Sequence, residues 1–96
     1  MIEVRQTDIY ANWFAKLRDL RAKSRIDARV RRLSVGNAGD VKPVGGGISE
    51  LRVNVGKGYR VYYINHNGSL IILLAGGDKS SQQRDIEKAK VLAADL

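Results

Sequence analysis

The chain has no cysteine, so it can build neither a disulfide framework nor a thiolate metal site. Its single histidine, His66, excludes a transition-metal site made of several imidazoles within one copy. Long apolar runs are also missing. The longest, Leu70 to Ala75, has six residues and falls far short of a membrane span. The opening MIEVRQTDIY lacks the basic-then-apolar order of a signal peptide, so the expected location is the cytoplasm. Acids are scarce: seventeen Lys and Arg face ten Asp and Glu, a net charge of +7. That excess speeds encounters with anions and leaves nucleic acid, ribosome, acidic protein and anionic membrane surface open as partners.

What the chain does have is enough apolar material for one core. Ninety-six residues at 44% hydrophobic content predict a single domain over 1–96. Ile2 to Arg5 alternates as a short strand. Ile9, Tyr10, Trp13, Phe14, Leu17 and Leu20 then recur at helical spacing behind the capping oxygens of Thr7 and Asp8. A second helix is predicted from about Ser24 to Val35, with Ile26, Val30 and Leu33 on one face and Arg25, Arg29 and Arg32 about 100° around from it. The stretch Arg18 to Arg32 carries seven cations and two acids. From Gly36 to Gly47 no periodicity is visible, and a mobile loop is expected there.

Three strands follow. Leu51, Val53 and Val55 alternate against Glu50, Arg52 and Asn54. Tyr59 to Ile64 forms the second strand, Asn67-Gly68 signals a hairpin, and Leu70 to Ala75 is apolar on both faces. Gly76-Gly77 is expected to turn the backbone. A last helix starts at Ser80 or Ser81, with Ser80-x-x-Gln83 as a capping box and Ile86, Ala89, Ala93 and Leu96 as its apolar stripe. The order β-αα-βββ-α predicts an α+β domain with a mostly antiparallel sheet and an N-terminal helical hairpin.

Candidate chemistry gathers on the strands. Arg52 lies mid-strand, Arg60 opens the next strand, and Lys79 follows the third. A guanidinium fork in such a place can grip phosphate and stabilise charge that builds during phosphoryl transfer. An exposed ion pair with Glu50, or plain solvation, explains the same spacing. Lys79 could share an anion with the following helix start; alternatively Asp78 caps that helix and Lys79 is merely solvated. Glu50 and His66 are the candidate acid/base groups, although His66 sits in a turn with no acidic neighbour. Tyr59, Tyr62 and Tyr63 could stack bases or simply pack. Arg25, Arg29, Arg32, Lys57 and Tyr59 are the candidate RNA contacts. The triple glycine Gly45 to Gly47 has no P-loop frame around it.

Glu50-Leu51-Arg52, Gly58-Tyr59-Arg60-Val61-Tyr62-Tyr63 and Leu73 to Gln82 followed by Asp85-Ile86, set after a strand and two helices, give the chain a family likeness. It resembles the RelE/ParE toxin superfamily, and more narrowly the HigB-type addiction module killer branch related to phage Gp49-like proteins. The resemblance implies a RelE-like fold and a toxin that cleaves mRNA on the translating ribosome without metal or other cofactor. The ribose 2′-OH would attack the adjacent phosphate. Arg60 would bind the scissile phosphate, Arg52 would assist, and Lys79 would contact phosphate or help the leaving group. Implied partners are a helix-turn-helix antitoxin, the ribosome and mRNA, and operator DNA for the toxin–antitoxin complex, with no membrane. A ParE-like inhibitor of DNA gyrase is the alternative within the same superfamily. RelE carries a catalytic tyrosine in its C-terminal segment and a lysine pair before the GYR motif; this chain has neither, which leaves the general base open among Glu50, Lys79 and His66.

Overall fold

The computed structural model describes residues 2–96. Strand β1 (Glu3–Gln6) leads into helix α1 (Asp8–Lys16), and helix α2 (Leu20–Ser34) follows after a break of three residues. The starts of α1 and α2 are each fixed by a side-chain oxygen. Thr7 Oγ1 accepts the Tyr10 N–H at 3.1 Å, and Asp19 Oδ1 accepts the Ala22 N–H at 3.1 Å. The Asp19 cap is why α2 begins at Leu20 rather than near Ser24. Leu20, placed by its spacing on the apolar face, is 78% exposed as the first residue of α2, and Ile9 is exposed too.

The segment expected to be a mobile loop contains a strand, β2 (Val41–Gly45), antiparallel to β3 (Ile48–Val53). It lies at the sheet edge, where Pro43 costs no ladder bond on its open side. Strands β4 (Tyr59–His66) and β5 (Leu70–Asp78) complete the sheet, in the order β1-β5-β4-β3-β2. Asn67 (φ 56) and Gly68 (φ 73) turn the β4–β5 hairpin in the left-handed region, as that dipeptide favours. Among the described residues the only parallel pairing is β1 with β5, from Glu3 opposite Leu70 to Gln6 opposite Leu73. A short 3₁₀ turn (Lys79–Ser81) then leads into helix α3 (Gln82–Ala94).

The sheet separates two cores. Tyr10, Ile26, Leu51, Tyr59, Val61 and Tyr63 belong to the one under α1 and α2. Ile48, Tyr62 and Leu74 meet Ala89 of α3 on the other face. A bulge in β5 makes Tyr62 pair with Ala75 and Tyr63 with Leu73, leaving Leu74 as the extra residue. The Leu74 carbonyl accepts the Thr7 hydroxyl at 2.6 Å. The extra residue has a downstream effect: Gly77, rather than Gly76, stands opposite Arg60.

Gly76 and Gly77 therefore continue β5 and do not turn it. A side chain at Gly76 would meet the Trp13 ring on one face, and one at Gly77 would meet Asp85 and Ser81 on the other. Two successive glycines let α1 and the start of α3 close on the same strand from opposite sides. The start of α3 departs from the expected capping box as well. Asp78 accepts the Ser80 N–H at 2.8 Å and caps the 3₁₀ turn, whereas Ser81, at the N-cap of α3, makes no side-chain cap bond.

Candidate functional site

The β3–β4 register puts Arg52 directly opposite Arg60 and Glu50 directly opposite Tyr62. Residues two apart on a strand share a face, so all four project toward the side that carries α3. Two guanidinium groups facing each other across a ladder repel, and such a pair needs a counter-charge. Glu50 supplies it from a position with no solvent exposure. Its Oε1 accepts Arg52 Nε at 3.2 Å and lies 3.9 Å from Arg60 Nε. Its Oε2 accepts the Tyr62 hydroxyl at 3.1 Å and the Gln82 side-chain amide at 2.7 Å.

This arrangement removes Glu50 from the acid/base candidates. Burial alone pushes its pKa up, but hydrogen bonds from Gln82, Arg52 and Tyr62 and the charge of Arg60 outweigh it and hold the carboxyl below its ordinary range. A carboxylate that is both saturated with donors and weakly basic cannot collect a proton from substrate. The exposed ion pair expected from spacing is in fact a buried hub. Tyr62 is the opposite case. Burial, followed by the Glu50 charge, raises its pKa well above that of an ordinary phenol and keeps it a donor.

The two arginines differ in access. Arg60 has a side-chain exposure of 8%, and its Nη1 donates to the Tyr59 carbonyl at 3.0 Å. Its Nε is buried with no hydrogen-bond partner. Arg52 keeps 32% of its side chain exposed. Two cations against one carboxylate leave a net positive charge on the cluster, with Arg52 as its open front. Lys79 is exposed, and its alkyl stem crosses Gly58, where a Cβ would come within 2.7 Å of Lys79 Cε. Gly58 also needs its positive φ of 77°. Lys57 is exposed in the same β3–β4 turn.

Other sequence candidates fall elsewhere. His66 is exposed at the far end of β4, six residues from Arg60 and so roughly 20 Å away along the strand. It cannot serve this cluster. Tyr59 is buried in the α1/α2 core and has no face to offer a base. Arg29 is committed as a clamp, donating to the carbonyls of Arg52, Ala38 and Asp40 at 2.5, 3.1 and 3.1 Å. Arg25 and Arg32 are exposed on α2 and lie on the helix that covers the face opposite the arginine pair. Sequence reasoning missed Gln82, which stands in the quoted motif but acquires a role only once the start of α3 meets β3.

This five-stranded sheet, with two helices on one face and one on the other, has the fold of RelE toxins. An arginine-to-alanine double mutant of E. coli RelE in the free state superposes with a TM-score of 0.69, covering 91% of this chain and 96% of that one at 9% identity. The toxin chain of the E. coli RelBE complex gives 0.66 over 81% and 96% at 10% identity. A RelBE2 toxin–antitoxin complex from Mycobacterium tuberculosis gives 0.55 over 81% and 98% at 21% identity. Within this fold the chain belongs to the family described as phage-derived protein Gp49-like, whose pattern matches residues 11–95. An uncharacterized protein of Haemophilus influenzae is 54% identical over 95 residues, or 99% of this chain and 96% of that one.

Proposed function

We propose that the protein is the toxin of a HigB-type toxin–antitoxin pair and acts in the cytoplasm as a ribosome-dependent mRNA endonuclease. The observation that carries this reading is the cross-strand arginine pair held by one fully buried carboxylate. Its net positive charge is pre-arranged and cannot be cancelled by Glu50 alone. Such a cluster suits charge that appears on a phosphate during reaction. RelE-type neighbours that sit in toxin–antitoxin complexes support both the toxin role and an antitoxin partner.

In the reaction, the ribose 2′-oxygen bonds to the adjacent phosphorus, the bond to the 5′-oxygen breaks, and the 2′ proton passes to the leaving oxygen through solvent. Arg52 approaches the phosphate from the open side and Arg60 from behind, and together they stabilise the extra negative charge. Lys79 sits toward the leaving group. General acid–base groups typically contribute about 10²–10⁴ in rate, and neither Glu50 nor His66 is free to supply one here. Ordering of the substrate can contribute roughly 7–11 kcal/mol. A site rich in charge stabilisers and poor in bases thus depends on a host that holds the mRNA in line, which is what the ribosome provides.

Mapping mRNA 5′ ends after induction tests the reading. Cleaved messages and arrested growth are expected for the wild type, and neither for Arg52→Ala or Arg60→Lys variants that remain folded by circular dichroism. Intact messages in poisoned cells, or DNA damage with normal translation, would sink it.

A further inference from the structure

A cleft of about 540 Å³ runs between the α1–α2 break and the β3–β4 turn, with Trp13, Lys16, Arg18 and Lys57 on its walls. A second, of about 430 Å³, lies between α1 and α3 and carries Arg84 and Lys88. The two share Trp13, Lys16 and Asp78, so they form one groove around the Asp78 end of the sheet. Each falls in the roughly 300–1,000 Å³ range of ligand clefts.

The charges in this groove are unevenly committed. Its three acids already serve the fold. Asp19 accepts the Ala22 N–H, Asp78 accepts Ser80, and Asp85 accepts the Ser81 hydroxyl at 2.5 Å. Ser80 also holds the Asp78 carboxyl below its usual range, first through its hydroxyl. None of the five cations enters an ion pair among the described residues, and all five are exposed. Between them lies the half-buried indole of Trp13, which lines both clefts and whose six-membered ring rests on Gly76.

A third cleft, lined by Lys57, Asp78, Lys79 and Ser80, adjoins this groove through Lys57 and Asp78, and the Lys79 stem crosses Gly58, two residues before Arg60 in sequence. The resulting basic track passes from the α3 face of the sheet around its end to the α1 face. Duplexes are too stiff to follow such a turn, whereas a single strand follows it readily. Cations spaced along a groove with one aromatic platform are the features that hold single-stranded nucleic acid.

We infer that this groove binds the single-stranded RNA flanking the cleaved phosphate, with a base packed on Trp13 and phosphates against Lys16, Lys57 and Arg84. The inference rests on the nuclease reading for its choice of RNA, and its test does not depend on cleavage. Trp13 is the only tryptophan, so its fluorescence reports groove occupancy without a label.

The probe is a short 2′-O-methyl RNA oligonucleotide, which cannot be cut, added to the purified chain without ribosomes. Saturable quenching is expected, with log Kd rising with log salt. Lys16→Glu and Arg84→Glu should weaken binding severalfold, and loss of one phosphate contact should lower the salt slope by about 0.7. A fluorescein-labelled oligonucleotide followed by anisotropy extends the test to Trp13→Phe, which should weaken binding while circular dichroism stays native. Unchanged affinity in all three variants overturns the proposal. So does quenching by an acidic peptide but not by RNA, which would assign the groove to a protein partner. Intact messages in cells alongside full quenching by the oligonucleotide would count against the nuclease and not against the groove.

Discussion

Glu50 decides whether the arginine pair exists at all. Removing its charge would leave Arg52 and Arg60 facing each other without a counter-charge, and Glu50→Gln keeps only one acceptor oxygen for the four donors now gathered on it. Loss of one member of a buried ionic cluster costs about 3–5 kcal/mol, so Glu50→Gln should lower the urea midpoint markedly at neutral pH. The pH dependence follows from the depressed pKa of Glu50. Its contribution is complete above the ordinary carboxylate pKa and disappears as pH falls through its lowered folded-state value. Wild-type stability should therefore fall on acidification, and the fall should be shallower in Glu50→Gln, as urea midpoints across an acid series would show. A parallel loss in both proteins would mean that Glu50 is not the titrating hub. The pairing of Glu50 with the arginines was legible in the spacing of ELR and GYR. Its burial and its bond to Gln82 were not, because that partner lies thirty-two positions away in the chain.

Strand β5 owes its last residues to what lies on either side of them. A methyl at Gly77 would press on Asp85 and one at Gly76 on Trp13, and overpacking of this kind costs roughly 1–3 kcal/mol. Gly77→Ala should lower the denaturation midpoint by an amount in that range, and so should Gly76→Ala. In a Trp13→Leu background the Gly76→Ala penalty should shrink, and a double-mutant cycle would detect the coupling. Strictly additive penalties would rule out the indole as the obstacle. Much at this scale was legible beforehand: the strand-helix-helix opening, strands β3 to β5, the Asn67-Gly68 hairpin and the final helix all follow from periodicity and turn chemistry. Strand β2 was not, because Lys42, Pro43 and the glycines give Val41–Gly45 no strand pattern of its own. Its pairing is imposed by β3. Gly76-Gly77 misled for a related reason, since close approach by two helices and a sharp turn leave the same mark in sequence.

At the scale of the whole molecule, the charge of +7 is spread over a body of about 32 × 28 × 23 Å. Self-repulsion at that density opposes folding and is screened as the Debye length shrinks with salt. Raising sodium chloride from low to near-physiological concentration should therefore raise Tm, as differential scanning fluorimetry would show. A flat or falling Tm would mean that local pairs such as Arg52–Glu50 dominate the electrostatics. The parallel pairing of β1 with β5 has a further consequence, for the order of assembly. Glu3 meets its partner Leu70 only after nearly three-quarters of the chain has been made, and Glu50 gains Gln82 later still. Long-range pairings of this kind form late and slowly. During synthesis the Glu50 hub therefore closes only once the start of α3 has been made, after the strands that carry both arginines.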